Sequence, residues 1–215
     1  MSSRISPSER MKIARQKMPE QKADERAANF TEVNLGFPEQ LALLEADRCL
    51  QCRDPRCVKG CPVNVNIPRF IDLLSQGRIA EAAQSLLCDN ALPAVTGRVC
   101  PQETQCESWC VRGNKGMPVG IGYLERYVDD WARAHKDQLP PDRAPTTGRR
   151  VVVIGSGPSG LTAAGELVRR GHDVTIYEAL HKPGGVLVYG IPEFRLPKQI
   201  VDQEVQRLKE AGVQI

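Results

Sequence analysis

No apolar run in this chain approaches the ~20 residues that a helix needs to cross a bilayer, so no membrane-spanning helix is expected. The first stretch, Met1 to Lys22, is polar and charged and has no signal-peptide core, which points to the cytoplasm. Charge of one sign is also lacking. The formal net charge is +3, and lysines and arginines are interspersed with acids, so no polyanion-binding surface is indicated and nucleic acid is not an expected partner. There is no low-complexity segment and no internal repeat beyond a loose likeness between two cysteine runs. The 215 residues fit one large domain or two small ones, with the composition of a globular protein.

What is present is cysteine, and all eight lie between Cys49 and Cys110. One run is Cys49-x2-Cys52-x4-Cys57-x3-Cys61-Pro62, the other is Cys100-Pro101-x4-Cys106-x3-Cys110, and Cys88 stands between them. Short spacings let one turn of backbone present several thiolates to a point, and a proline after a cysteine turns the chain away. In a reducing compartment such a cluster reads as metal ligands or redox groups rather than disulfides. Bacterial ferredoxins use a similar run in which the cysteine before proline ligates the other cubane, so two iron–sulfur clusters are the first expectation. Two all-thiolate zinc sites in a binding or scaffold module are the alternative of a different class. The x4 and x3 spacings with two Cys-Pro steps suit cubanes better, and a brown colour bleached by dithionite would separate the two.

Residues 1–48 read as mostly helical, with Pro38 starting a helix that leads into Cys49. A helix is expected from Pro68, carrying Phe70, Ile71 and Leu74 and stopping near Gly77. Another runs from Ile79 to about Cys88, with Ile79, Ala82, Ala83, Leu86 and Leu87 at helical spacing, so the two pack as a hairpin. After a glycine-rich loop, Leu124, Tyr127, Val128 and Trp131 form one apolar stripe of a further helix, read as core. Residues 136–150 hold three prolines and no periodicity, as an interdomain linker does.

Val151 to Ile154 then reads as a short buried strand of the parallel-sheet type, followed by a helix from Ser159 to about Arg170 and a second strand from His172 to Glu178. Gly155-Ser156-Gly157-Pro158-Ser159-Gly160 sits between the first strand and the helix, with the acidic Glu178 closing the second strand. That whole pattern is a dinucleotide fingerprint. Gly155 permits the tight turn, Gly157 admits a pyrophosphate to the backbone, Gly160 allows close packing, and the helix N-terminus supplies donors. Glu178 would accept hydrogen bonds from the adenosine ribose. The Gly184-Gly185 pair after Lys182-Pro183 resembles the first nucleotide domain of two-dinucleotide-domain flavoproteins, which favours FAD.

With both halves in view the chain resembles the glutamate synthase small (β) subunit family, including the related subunit of NADH-dependent ferredoxin:NADP oxidoreductase and the N-terminal part of dihydropyrimidine dehydrogenase. The matching stretches are Met18-Pro19-Glu20-Gln21, both cysteine runs, Val95-Thr96-Gly97-Arg98-Val99-Cys100-Pro101, the glycine fingerprint, and Gly190 to Pro197. The resemblance implies a mainly α N-terminal iron–sulfur domain (1–135), a linker (136–150) and the first part of an α/β Rossmann-like FAD domain (151–215). It implies an oxidoreductase that moves electrons between NAD(P)H, FAD, two [4Fe–4S] clusters and a larger catalytic or electron-accepting partner. Carried over by position, one cluster would use Cys49, Cys52, Cys57 and Cys110. The other would use Cys61, Cys100, Cys106 and a fourth ligand that aligns with Glu125.

Eight ligands and eight cysteines would make Cys88 the eighth on count alone. Its place at the end of an amphipathic helix argues instead for a small buried hydrophobe. Family members are about twice as long, with an inserted NAD(P)H domain and a return segment that completes the flavin pocket. The 215 residues alone are therefore expected to bind FAD weakly and not to oxidise NAD(P)H, the rest coming from a missing C-terminal half or a partner. No protein acid–base pair is needed, and no catalytic residue is nominated.

Overall fold

The computed structural model describes residues 5–139 and 143–215, so Pro140, Pro141 and Asp142 of the expected linker lie outside the described residues. In chain order its helices are α1 (Pro7–Lys12), α2 (Ala23–Ala27), α3 (Glu39–Ala46), α4 (Arg56–Lys59), α5 (Ile67–Ser75), α6 (Ile79–Asp89), α7 (Pro93–Val99) and α8 (Ile121–Ala134). After the linker come β1 (Arg150–Ile154), α9 (Pro158–Arg169), β2 (Asp173–Tyr177), α10 (Val186–Tyr189) and α11 (Lys198–Glu210). Two compact units result, Met1–Gln21 with Asn34–Leu139, and Lys22–Val33 with Pro140–Ile215. The second takes in the 22–33 segment, where Val33 N donates to Phe194 O at 3.0 Å.

The first unit is helical, and its core is the apolar stripes of α5, α6 and α8. Phe70, Ile71 and Leu74 of α5 meet Ala82, Ala83 and Leu86 of α6, and Leu124 and Val128 of α8 join the same cluster. Gly77, with φ +71°, makes the turn between α5 and α6, a left-handed conformation that suits glycine. The expectation of a mostly helical 1–48 is corrected, because α1, α2 and α3 are short and the chain between them is extended. Tertiary hydrogen bonds explain this. Ile13 O accepts from the buried Arg48 and Arg112 side chains, and Pro19 O accepts from Leu35 N, so these carbonyls serve distant partners rather than a local helix. Helix α7 was not legible as an element, since its Pro-Ala-Val-Thr-Gly-Arg-Val run mixes weak helix formers.

In the second unit β1 and β2 are parallel, Val151 opposite Val174 and Val153 opposite Ile176. A third segment begins on the far side of β2, where Gln214 bridges Thr175 and Ile176 N donates to Gln214 O at 2.8 Å. Leu161, Ala164 and Val168 of α9 and Val201, Val205 and Leu208 of α11 are buried with Val174 and Ile176 of the sheet. The expected burial of β1 does not hold: Val151 and Val153 are half-buried on one face, and the other face is exposed. Val152 is 57% and Ile154 80% exposed, because α9 covers one side and no described element of this unit covers the other.

Candidate functional site

The first cysteine set is assembled by two helix ends and a strained loop. Cys49 leaves α3 by donating its N–H to Ala46 O at 3.0 Å, and Cys57 rides on α4. Between Cys49 and Cys52, Gln51 has φ +52°, a conformation rare for a residue with a side chain and often found where function fixes the backbone. The Gln51 amide donates to Cys49 Sγ at 3.4 Å and to Pro68 O at 3.1 Å, which holds that thiol against the start of α5. Cys110 arrives from the second run, and Cys49, Cys52, Cys57 and Cys110 line one pocket walled by Ile67, Ile71 and Ile121. Burial pushes the Cys49 thiol up to about 11 and the Cys57 thiol up to about 12, with the neighbouring thiols adding to both. Crowded neutral thiols of this kind become ligands once a metal charge reverses their proton balance.

A second group forms around the crossing of α7 and α8. Gly97 sets the approach, since a Cβ there would lie 2.8 Å from the Arg126 backbone. The close approach lets Thr96 Oγ1 of α7 donate to the Glu125 carboxylate of α8, and Asn90 Nδ2 donates to the same oxygen at 2.9 Å. Cys100 caps α7 and Cys106 is buried beyond it. Burial pushes the Cys100 thiol up to about 11, with Glu125 and Cys61 adding to the effect, and Cys106 is raised further by burial, Glu107, Glu125 and Cys61. Cys61, Cys100, Cys106 and Glu125 therefore share a neighbourhood separate from the first set. Burial raises the Glu125 carboxyl to about 7, although Thr96 and Asn90 pull it down.

Buried arginines tie the N-terminal strap, residues 10–16, to these loops. Arg10 Nη1 donates to Cys49 O at 2.7 Å, and Arg48 reaches Ile13 O, Met117 O and Pro118 O. Glu45 pairs with Arg48 at 2.5 Å and also accepts from Gly120 N at 2.7 Å and Gln16 N at 2.8 Å. Among the described residues no three His, Cys, Asp or Glu side chains converge on a single point as a mononuclear ion demands.

In the second unit the glycine fingerprint forms the expected strand–turn–helix. Gly155 has φ +87°, and a Cβ on Gly160 would sit 2.0 Å from Gly155 O, so both glycines are required sterically. Nothing lies within 4 Å of a Cβ placed on Gly157, which leaves its backbone open beside the N-terminus of the 12-residue α9. Pro158 and Ser159 form the first helical turn, where a missing or free N–H costs nothing. Glu178 accepts from Ser156 N at 2.8 Å and from Ser156 Oγ, while its other oxygen accepts from Leu180 N at 2.8 Å. These bonds, the Ser156 hydroxyl first, lower its carboxyl to about 2. Ser156 Oγ is also reached by Gly184 N at 3.0 Å, and a Cβ on Gly185 would lie 2.9 Å from Gly157 Cα. The Gly184-Gly185 turn thus packs on the phosphate-type loop itself.

Residues 26–137 match the family described as dihydropyrimidine dehydrogenase domain II, 4Fe-4S cluster. The chain belongs to this family. Residues 153–198 match an NAD(P)-binding Rossmann-like domain. The small chain of glutamate synthase (NADPH) from Azospirillum brasilense is 41% identical over 203 residues, which is 92% of this chain and 42% of that protein. The PreT subunit of NAD-dependent dihydropyrimidine dehydrogenase from Escherichia coli K12 is 40% identical over 184 residues, 86% of this chain and 44% of that one. Glutamate synthase (NADH) of Schizosaccharomyces pombe is 39% identical over 192 residues, 88% of this chain and 9% of the other. The chain spans about two fifths of the length of the first two relatives. As a member of the domain II family with a Rossmann-like segment, it carries the iron–sulfur and dinucleotide-binding signatures of an electron-transfer oxidoreductase subunit.

For a domain II chain, one sequence expectation needs correction. Cys88 is exposed, not a core residue. Ile79, Ala82, Ala83 and Leu86 take the buried face of α6, and Cys88 falls two residues past Leu86, on the opposite side. Asn90 carried no sequence signal, whereas Gln51 within the first cysteine run and Arg112 two residues after Cys110 had only their proximity to the cysteines to mark them. Thr96 lay inside a family-matching stretch, and its contact with Glu125 is what the structure adds. No helix among the described residues is long and apolar enough to cross a membrane.

Proposed function

We propose that this chain is the iron–sulfur and nucleotide-entry portion of a NAD(P)H-dependent flavo-iron–sulfur oxidoreductase, of the kind named by its glutamate synthase small-chain and PreT relatives. The observation that carries the reading is the grouping of donors. Cys49, Cys52, Cys57 and Cys110 gather in one pocket, while Cys61, Cys100 and Cys106 gather with Glu125. Each run thereby lends its last member to the other group, the crosswise logic of two-cluster ferredoxins. Two [4Fe–4S] clusters, one on each group, would supply one-electron relay. The protein's part is to bury the thiols, fix Cys49 through Gln51, and hold the Glu125 carboxylate in place through Thr96 and Asn90.

The glycine loop is assigned to FAD, supported by the Gly184-Gly185 turn packed on Gly157. Here α9 orients its amides toward a pyrophosphate, and Glu178, with acceptor capacity left beyond Ser156 and Leu180, meets a ribose. In this reading 1–135 forms the iron–sulfur module, 136–150 the connection and 151–215 the start of the flavin domain, with 22–33 counted to the second unit. NAD(P)H enters through further sequence, and a larger catalytic or electron-accepting subunit takes the electrons. The clustered cysteines of the two runs fit a reducing, cytoplasmic location. Anaerobic purification from source with bound partners, followed by iron, sulfide and flavin analysis, tests the whole. Bound zinc without sulfide would refute the cluster reading, and bound NAD(P) without flavin would refute the FAD assignment.

A further inference from the structure

One buried donor beside the first cysteine set has no acceptor. Arg112 follows Cys110 by two residues, is 5% exposed and lines the pocket shared by Cys49, Cys52, Cys57 and Cys110. Its two terminal nitrogens are committed to the N-terminal strap. Nη1 donates to Arg10 O at 2.6 Å, and Nη2 donates to Met11 O at 3.2 Å and Ile13 O at 2.5 Å. The Nε is buried and bonds to nothing. A buried donor left unpaired loses its hydration with nothing in return, so its retention calls for an acceptor on the pocket side. The side-chain acceptors among the residues that line this pocket are all cysteine sulfurs.

We propose that the Arg112 Nε–H donates a hydrogen bond to a sulfur of the cluster held by Cys49, Cys52, Cys57 and Cys110, and raises that cluster's reduction potential above its neighbour's. This rests on the reading of those cysteines as a cluster site. Reduction adds one negative charge, which spreads over the sulfurs, and hydrogen bonds to sulfur are among the levers that set such potentials. The strap carbonyls hold both terminal nitrogens, so the guanidinium plane is fixed and Nε is left as its one uncommitted donor. The second set has the opposite character, with the Glu125 carboxylate among its donors and Glu107 beside Cys106.

The test is an electron-paramagnetic-resonance titration of the iron-loaded chain, with dithionite supplying one electron to each centre. Arg112→Lys keeps the positive charge and can still reach the strap, but it has no Nε. We expect the reduction equilibrium of one centre to shift about tenfold toward the oxidised form, about 59 mV for one electron, while the other centre stays in place. Two unmoved potentials, or two that move together, overturn the proposal. Should the lysine variant lose iron, wild-type chain labelled with ¹⁵N at arginine Nε gives the same decision. A nitrogen coupling on one reduced signal supports the proposal, and none on either signal sinks it. A wild type that takes up no iron and sulfide overturns the cluster reading and the proposal with it, whereas a loaded protein indifferent to Arg112 overturns the proposal alone.

Discussion

At the residue scale, the distinction between Cys57 and Cys88 is the sharpest. Cys57 lines the first pocket, and Cys88 lies on the exposed side of α6. Cys57→Ser is expected to lose roughly half the bound iron, one of two clusters, while Cys88→Ser keeps all of it; equal iron in both variants would contradict the grouping. Glu125→Ala should act like Cys57→Ser on the other centre, read from the surviving resonance signal. Glu178 supplies a pH dependence. Its carboxyl is held at about 2 against an ordinary 4.5, chiefly by Ser156, so its contribution to stability is complete above about 4.5 and fades as pH falls through about 2. Denaturation midpoints of wild type and Glu178→Gln should therefore converge over that interval, and a constant gap would show that Glu178 does not titrate in this way. Glu178 and the glycines were legible because their chemistry is local to a strand–turn–helix. Asn90 was not, since nothing in its neighbours in sequence places it beside a carboxylate, and Gln51, though inside the first cysteine run, meets Cys49 Sγ only through a positive-φ turn that the sequence does not announce.

At the scale of elements, the α7–α8 crossing decides whether the second group exists. Alanine at position 97 would gain about 1 kcal/mol of intrinsic helix preference over glycine. Its Cβ, however, would stand 2.8 Å from the Arg126 backbone, and overpacking of that kind costs about 1–3 kcal/mol. Sterics win, so Gly97→Ala is predicted to destabilise the first unit and to weaken iron retention by the centre that contains Cys100. Chemical denaturation and iron analysis together check this, and a more stable, fully loaded variant would refute it. The strap offers a second case. Glu45 is fully buried and accepts from Arg48, Gly120 and Gln16. Glu45→Ala leaves the Arg48 charge buried without its partner and is expected to cost about 3–5 kcal/mol in denaturant.

At the scale of the whole molecule, the two units rest on different supports. Both have an apolar core, the second among α9, α11 and the sheet and the first among α5, α6 and α8, but the first also carries cysteine loops with little regular structure. Metal binding of this sort contributes directly to folding. Removing iron should therefore raise amide exchange across 47–62 and 100–120 and leave 150–177 and 198–210 protected. Uniform loss of protection along the chain would show instead that the units fold as one.

The sequence by itself determined the chemistry: two cysteine runs with proline punctuation, a glycine fingerprint between a strand and a helix, and apolar stripes that fix α5, α6 and α8. Those are short-range patterns, and spacing alone expresses them. The family resemblance already implied that Cys110 joins the first run and Glu125 joins Cys61, Cys100 and Cys106. Only the tertiary structure decided the close α7–α8 approach at Gly97, the bonds from Thr96 and Asn90 to Glu125, and the outward position of Cys88. It also drew the N-terminal strap out of helix, because buried guanidinium groups of Arg48 and Arg112 claim its carbonyls from more than thirty residues away. Contacts over such separations follow from how helices pack, and no local pattern encodes them.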